Sequence, residues 1–300
     1  MKQILVISGK GGTGKTVITA SFACLAKAKV MTDCDVDAAD LWLLLHPEIK
    51  EEHNFEGGKT AVIDEEKCIG CGKCQEVCRF EAIKEEKNKI IIDSLACEGC
   101  GACRLICPED AISLKIDEEV GHWFISETKY GPMVHAKLGI AQENSGRLVS
   151  LVRERAQDIA LEKKIDYIII DGPPGIGCPV IASLSGIDIA LIVIEPTLSG
   201  MHDAKRVIKV ANHFGIKTAA CINKCDLNLK NSKTIKKDCS SSGIPVIGEI
   251  PFDKVVSESL VNEKPIVEYK DCPVSSQIRD MWSRIIELVK GNGFLSGKAL

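Results

Sequence analysis

The sequence predicts an α/β protein with a mostly parallel sheet, into which a small α+β domain is inserted. Three observations carry that prediction. Short apolar runs alternate with helical patterns over most of the 300 residues, the signature of strands linked by crossover helices. The runs are almost wholly apolar, as strands covered on both faces must be. The alternation stops between about Lys59 and Leu138, where a cysteine-rich repeat takes over.

Strands are expected over residues 3–8, 29–32, 167–170, 189–194, 218–222 and 246–250, where the apolar runs lie. Helical periodicity follows over 14–26, 146–162, 202–212 and 275–289. In the last of these, Ile278, Met281, Trp282, Ile285, Ile286 and Val289 share one stripe, which normally packs on the domain's own core. Residues 112–138 read as short strands with turns at 118–121 and at Gly131-Pro132, a hairpin that returns the chain to the sheet.

Composition narrows the function. A hydrophobic share of 45% is enough for a full core and excludes a disordered chain. At about 150 residues per domain, the length fits one large domain or two smaller ones. Forty-two acidic against 38 basic residues leave a net charge of −4, without the basic field that nucleic-acid binding needs. No apolar run approaches the ~18 residues of a membrane span. The opening MKQILVISGKGG has too short an apolar stretch for a secretory signal, so a cytoplasmic location is expected. Fifteen cysteines in a reducing compartment are not a disulfide framework; they suggest metal or cluster ligation.

Residues 9–16 read GKGGTGKT between a predicted strand and a predicted helix, the phosphate-loop pattern G-x-x-x-x-G-K-[ST]. Its glycines let backbone N–H groups converge on phosphate oxygens at a helix N-terminus. The binding candidates are Gly9, Gly11, Gly12, Thr13, Gly14, Lys15, Thr16 and Val17. Lys15 is expected to pair with the β- and γ-phosphates, and Thr16 to ligate Mg²⁺.

Lys10 is a second lysine inside the loop, which an ordinary phosphate loop does not require. Here the chain resembles, in its K-G-G-x-G-K-[ST] loop, the MinD/ParA/nitrogenase-iron-protein family of P-loop ATPases. The resemblance implies ATP hydrolysis, a nucleotide-dependent homodimer, and a Lys10 that crosses the dimer interface to the partner's nucleotide, much as an arginine finger does. It implies roles for the acidic strand ends of Asp33-Cys34-Asp35-Val36-Asp37 and Asp171-Gly172-Pro173-Pro174-Gly175. Asp35 would position or activate the attacking water, and Asp33 and Asp171 would support the Mg²⁺ shell. Asn223, Pro251 and Asp253 resemble the family's base-binding positions, with Asn223 bonding the adenine. Asn223-Lys224-Cys225-Asp226 also fits the guanine-reading pattern N-K-x-D. The residues leave both bases open, and the family resemblance implies ATP.

The cysteine-rich segment is a duplication. CIGCGKCQEVCRFEAI from Cys68 and CEGCGACRLICPEDAI from Cys97 repeat at an offset of 29 residues. Each carries C-x₂-C-x₂-C-x₃-C, which resembles bacterial two-cluster ferredoxins, where the fourth cysteine of one run ligates the other cluster. That resemblance implies one [4Fe–4S] centre on Cys68, Cys71, Cys74 and Cys107, and a second on Cys97, Cys100, Cys103 and Cys78. Pro108 follows the last cysteine as in that pattern, whereas Arg79 stands at the equivalent place in the first repeat. Zinc, the competing metal, prefers separated cysteine pairs often mixed with histidine, which fits poorly. The six scattered histidines show no ligand pattern. Cys178 lies seven residues after Asp171, the offset of a cluster-bridging cysteine in the nitrogenase iron protein. The upstream partner cysteine of that protein has no counterpart over 139–146, so Cys178 reads as an ordinary or redox-sensitive thiol.

Taken together, the resemblances imply a P-loop NTPase fold over 1–58 and 139–300, a bacterial-type ferredoxin domain over 59–117 and a hairpin connection over 118–138. Three tasks fit. The first is an ATPase whose nucleotide state gates electron delivery through two clusters to a partner metalloprotein. The second is an ATP-dependent iron–sulfur or metallocofactor assembly or carrier factor, although the C-terminal C-x-x-C of Mrp carriers has no counterpart. The third is a MinD/ParA-like positional ATPase, for which no basic or membrane-like segment speaks.

Overall fold

The computed structural model describes residues 1–86, 89–94, 96–116, 120–139 and 145–291. The first half of the expected turn at 118–121, most of the 139–146 stretch and the last residues of the chain lie outside the described residues; Gly121 already belongs to a strand, β8 below. Its strands in chain order are β1 (Lys2–Ser8), β2 (Lys29–Asp33), β3 (Glu48–Phe55), β4 (Lys59–Ile63), β5 (Ile83–Glu86), β6 (Lys89–Ile92), β7 (Ile112–Ile116), β8 (Gly121–Thr128), β9 (Gly131–Leu138), β10 (Tyr167–Pro174), β11 (Ile189–Ile194), β12 (Thr218–Asn223) and β13 (Val246–Ile250). The helices are α1 (Lys15–Leu25), α2 (Leu41–Leu45), α3 (Lys73–Val77), α4 (Ala102–Ile106), α5 (Ser145–Glu162), α6 (Cys178–Leu184), α7 (Leu198–His213), α8 (Leu229–Ser241), α9 (Lys254–Val261), α10 (Ile266–Tyr269) and α11 (Pro273–Lys290).

The chain divides into two compact units: the described parts of Met1–His53, Trp123–Lys137 and Ser145–Leu300, and those of Asn54–His122 and Leu138–Asn144. Among the described residues the larger sheet has nine strands in the order β13-β12-β11-β1-β10-β2-β9-β8-β3. From β13 to β9 every pairing is parallel. The central strands are buried on both faces, with Ile4, Leu5, Val6 and Ile7 fully excluded from water, which explains their unbroken apolar runs.

Helix α11 lays its stripe into this core: Ile278, Met281, Ile285 and Val289 are buried, and Trp282 stacks obliquely on Phe22 at 5.2 Å between ring centroids. Gly248 makes that close packing possible, because a Cβ there would overlap the Met281 side chain.

Several elements escape the sequence patterns. β3, EIKEEHNF, is a charged edge strand with no apolar alternation, and such charge guards an open sheet edge. α8 buries only Ser232, Ile235 and Cys239, too thin a stripe for periodicity to reveal. The hairpin over 118–138 differs from expectation in its role and turn: β8 and β9 join the central sheet, and Lys129-Tyr130 makes the turn. Tyr130 N–H donates to Thr128 Oγ1, which donates to the Gly131 carbonyl. Gly131-Pro132 instead opens β9, a strand start where the missing proline N–H is tolerated.

The second unit is folded by the duplication. β4 pairs antiparallel with β7 and β5 with β6. Ile63 faces Ile112 and Ile92 faces Ile83, so both pairs obey the 29-residue offset. Each repeat thus exchanges a strand with the other. The offset also relates α3 to α4 and the left-handed pairs Gly70/Gly99 and Gly72/Gly101. All four glycines lie at positive φ, a backbone conformation that a side chain would strain.

Candidate functional site

β1 delivers the phosphate loop to the C-terminal edge of the parallel sheet, where ligands bind in open α/β sheets. Gly14, at φ 91°, is the N-cap of α1; a Cβ there would also collide with Asn223 Nδ2. Lys15 is only 5% exposed, and its ion-pair partner is Asp35 at 3.8 Å. Thr13 Oγ1 is buried without a hydrogen-bond partner. A buried cation with one distant counter-charge and an orphaned hydroxyl beside it suit an incoming phosphate, so the residues present fit a nucleotide.

The carboxylates converge from neighbouring strand ends. Asp33 and Asp171 are register partners on β2 and β10, and both are buried. Thr16 Oγ1 donates to Asp171 Oδ2 at 2.7 Å, and Thr19 Oγ1 to Oδ1 at 2.9 Å. Asp33 accepts the N–H groups of Asp35 and Leu41, each at 3.1 Å. Burial, and then repulsion from Asp171, holds the Asp33 carboxyl well above its ordinary range. Burial also raises Asp171, against the pull of Lys15 and the two threonines, and raises Asp35 to about 6 despite Lys15. Such a set gains from a divalent cation, which supplies the missing positive charge. Mg²⁺ keeps several waters and takes one or two carboxylates with substrate phosphates. Thr16, Asp33 and Asp171 are the residues that would hold it.

A cavity with about 740 Å³ of atom-free space, open solvent included, adjoins the loop; Gly14, Val17, Asn223, Pro251, Phe252 and Asp253 are among its lining. Asn223 uses its amide inside the chain: Nδ2 donates to the Thr13 carbonyl at 2.7 Å, and Oδ1 accepts the Lys224 N–H. Asp253 caps α9 by accepting the Val255 N–H. Asp226 accepts the Phe252 N–H at 2.7 Å. Lys10 lies against its own chain, 2.6 Å from Glu195 Oε2 and 3.2 Å from Thr197 Oγ1. Sequence patterns missed Glu195, Thr197 and Thr19. The available signal for Glu195 was its place one residue beyond β11, on the edge where the other strand-end groups gather.

In the second unit two cavities sort the cysteines. One, of about 350 Å³ of atom-free space with open solvent included, is lined by Cys68, Cys71, Cys74 and Cys107. The other, of about 330 Å³ on the same measure, is lined by Cys78, Cys97, Cys100 and Cys103. Each takes three thiols from one repeat and the fourth from the other. Backbone N–H groups reach the sulfurs, Ala61 to Cys97 at 3.4 Å and Ala111 to Cys107 at 3.3 Å. All eight cysteines are free thiols. Among the described residues, no three His, Cys, Asp or Glu side chains group closely enough to hold a single metal ion. Cys178 is an exposed free thiol at the start of α6.

A phosphate loop between a central parallel strand and a helix, flanked by buried strand-end carboxylates, defines a P-loop nucleotide-binding protein. The chain belongs to the CobQ/CobB/MinD/ParA nucleotide-binding family, whose model matches residues 4–266. It is 33% identical to an uncharacterized protein of Methanocaldococcus jannaschii over 292 residues, 96% of this chain and 97% of that one. An iron–sulfur cluster carrier protein of the same organism is 28% identical over 141 residues, 43% of this chain and 48% of the carrier. Among solved structures, the septum site-determining protein MinD of Pyrococcus horikoshii, complexed with Mg-ADP, aligns with a TM-score of 0.57 at 17% identity, covering 98% of this chain and 99% of MinD. Among the described residues no helix is long and apolar enough to cross a membrane.

Proposed function

We propose that the protein is an ATP-hydrolysing, Mg²⁺-dependent iron–sulfur protein, in which nucleotide state gates electron delivery through two [4Fe–4S] clusters to a partner metalloprotein. The observation that carries this reading is the four-and-four sorting of cysteines between two cavities, with one thiol of each set contributed by the other repeat. A polynuclear cluster is gripped by thiolates at separate corners.

Bound clusters would supply one-electron chemistry. The chain's own residues bind, orient and shield them. On the nucleotide side, Lys15 and the loop N–H groups bind phosphate, and Thr16, Asp33 and Asp171 support Mg²⁺. Asp35 orients the attacking water, and Lys10 serves a second copy of the chain. ATP is taken over GTP on the family resemblance; Asp226, the residue that would read guanine, has one carboxylate oxygen accepting the Phe252 N–H and the other left to accept.

The partial likeness to an iron–sulfur cluster carrier favours a second reading, cluster or metallocofactor assembly. Anaerobic purification with iron, sulfide and EPR analysis, followed by redox cycling with and without Mg-ATP, tests both. Stable clusters that cycle reversibly fit electron delivery. Clusters that transfer intact to an apo-ferredoxin fit assembly. Protein that takes up neither iron nor sulfide sinks both readings.

A further inference from the structure

Glu195 stands between two lysines of the nucleotide site. Its Oε2 lies 2.6 Å from Lys10 Nζ, and its Oε1 lies 2.9 Å from Lys224 Nζ. The carboxylate is largely buried, at 12% exposure, while both lysine side chains are 29% exposed. Lys10 also donates to Thr197 Oγ1, the N-cap of α7. Lys224, in the left-handed region at φ 54°, also donates to the Gly12 carbonyl at 3.4 Å. Burial works against the charge on Glu195, yet the two lysines outweigh it and hold the carboxyl below its ordinary range.

We propose that Glu195 is a positioning residue that holds Lys10 within its own chain until the nucleotide of a second copy competes for it, and that Lys224 is the counter-charge that makes the release possible. This rests on the reading of Lys10 as a donor to a second copy. A lysine with that task must first leave its partners. Stripping one partner from a buried ion pair is costly because the remaining charge loses its compensation. Here the second oxygen of Glu195 keeps Lys224 when Lys10 departs, so the carboxylate is never bare. The arrangement has two states, Lys10 held or Lys10 released, and phosphate charge from the second copy supplies the differential affinity that shifts between them. Thr197 gives Lys10 a second tether at the start of α7.

Competitive amine labelling of Lys10, read by mass spectrometry in nucleotide-stripped full-length protein, tests the hold directly. Glu195→Gln keeps the shape of the side chain and removes its charge. Losing a charge-assisted hydrogen bond predicts about a tenfold rise in Lys10 labelling. Lys224→Met leaves Glu195 to Lys10 alone and lowers labelling below wild type. The two variants shift Mg-ATP-induced dimerisation in sedimentation the same opposite ways, Glu195→Gln to lower and Lys224→Met to higher nucleotide concentration. Equal Lys10 labelling in all three proteins overturns the proposal, whether or not they dimerise. Labelling that moves in opposite directions supports it; if Mg-ATP then dimerises none of them, the reading of Lys10 as a donor to a second copy is what fails.

Discussion

The two units of this chain hold themselves together by different means. The nucleotide unit has a deep apolar core in which β1, β10 and β11 are shielded from both sides, and its buried carboxylates, Asp33 and Asp171, sit at strand ends beside the phosphate loop. The cysteine unit has two short antiparallel pairs and a core of Ala61, Cys74, Ile83, Ile90, Cys103 and Ile112, against which further cysteines pack. Ile69, Phe80, Leu105 and Ile106 are left exposed. A core of that size rarely stabilises a domain without a staple. The first unit should therefore fold from its sequence, whereas the second should depend on what its cysteines bind.

The largest expected effect breaks that contrast directly. Protein purified without oxygen should carry about eight iron and eight sulfide per chain. Removing the iron with a chelator should then abolish hydrogen-exchange protection of β4 to β7, while β1, β10 and β11 stay protected. Equal protection of the cysteine unit with and without iron would show that its small core suffices. One or two zinc ions per chain in place of iron would refute the cluster reading.

Next in size is a single substitution that separates sequence neighbourhood from spatial neighbourhood. Cys78 lies four residues after Cys74, but it lines the cavity of Cys97, Cys100 and Cys103. Cys78→Ser should degrade the cluster of the second repeat, visible as loss of one EPR signal and about half of the iron. Loss of the cluster bound by Cys68, Cys71 and Cys74 instead would mean that the repeats do not exchange ligands.

What the sequence revealed follows the same division. The central strands were legible because two-sided burial writes an unbroken apolar run, as in IALIVI of β11. The repeat was legible because the offset recurs at every cysteine, and the strand exchange follows the same offset. β3 and α8 were illegible because an edge strand and a thinly buried helix need little apolar patterning. Within the nucleotide site, the loop motif exposed Lys15 and Thr16. Glu195 was hidden, because an acidic residue after a strand is common and its meaning lies in two lysines, 185 positions upstream and 29 downstream.

A smaller effect is expected on the nucleotide side. Lys15→Ala removes a buried cation from the phosphate position, a loss on the order of 3 kcal/mol, or about 100-fold in affinity. Isothermal titration with ATP and Mg²⁺ measures it. Wild-type affinity in the variant would remove the phosphate loop from the mechanism. The fold should survive the substitution, because Lys15 contributes to the site rather than to the apolar core.

The smallest effect is the one that asks whether the two units work together. The cysteine unit is inserted in the chain between Asp35 and Asp171, two carboxylates expected to respond to the γ-phosphate. A ligand shifts another equilibrium only through a difference in its affinity for two states, and couplings between sites typically amount to about 1–3 kcal/mol. For a one-electron couple, about 59 mV corresponds to a tenfold change. Replacing Mg-ADP by Mg-ATP should therefore move the potential of at least one cluster by tens of millivolts, or change the rate at which a chelator extracts its iron. Anaerobic titration of the two nucleotide forms reads the first, and timed chelation the second. Lys15→Ala supplies the control, since a protein that no longer binds nucleotide should give the same potential under both conditions. A shift that persists in Lys15→Ala would come from the nucleotide acting elsewhere than the phosphate loop. Identical potentials and identical chelation rates in the wild type would mean that an ATPase and a cluster protein share one chain without exchanging free energy.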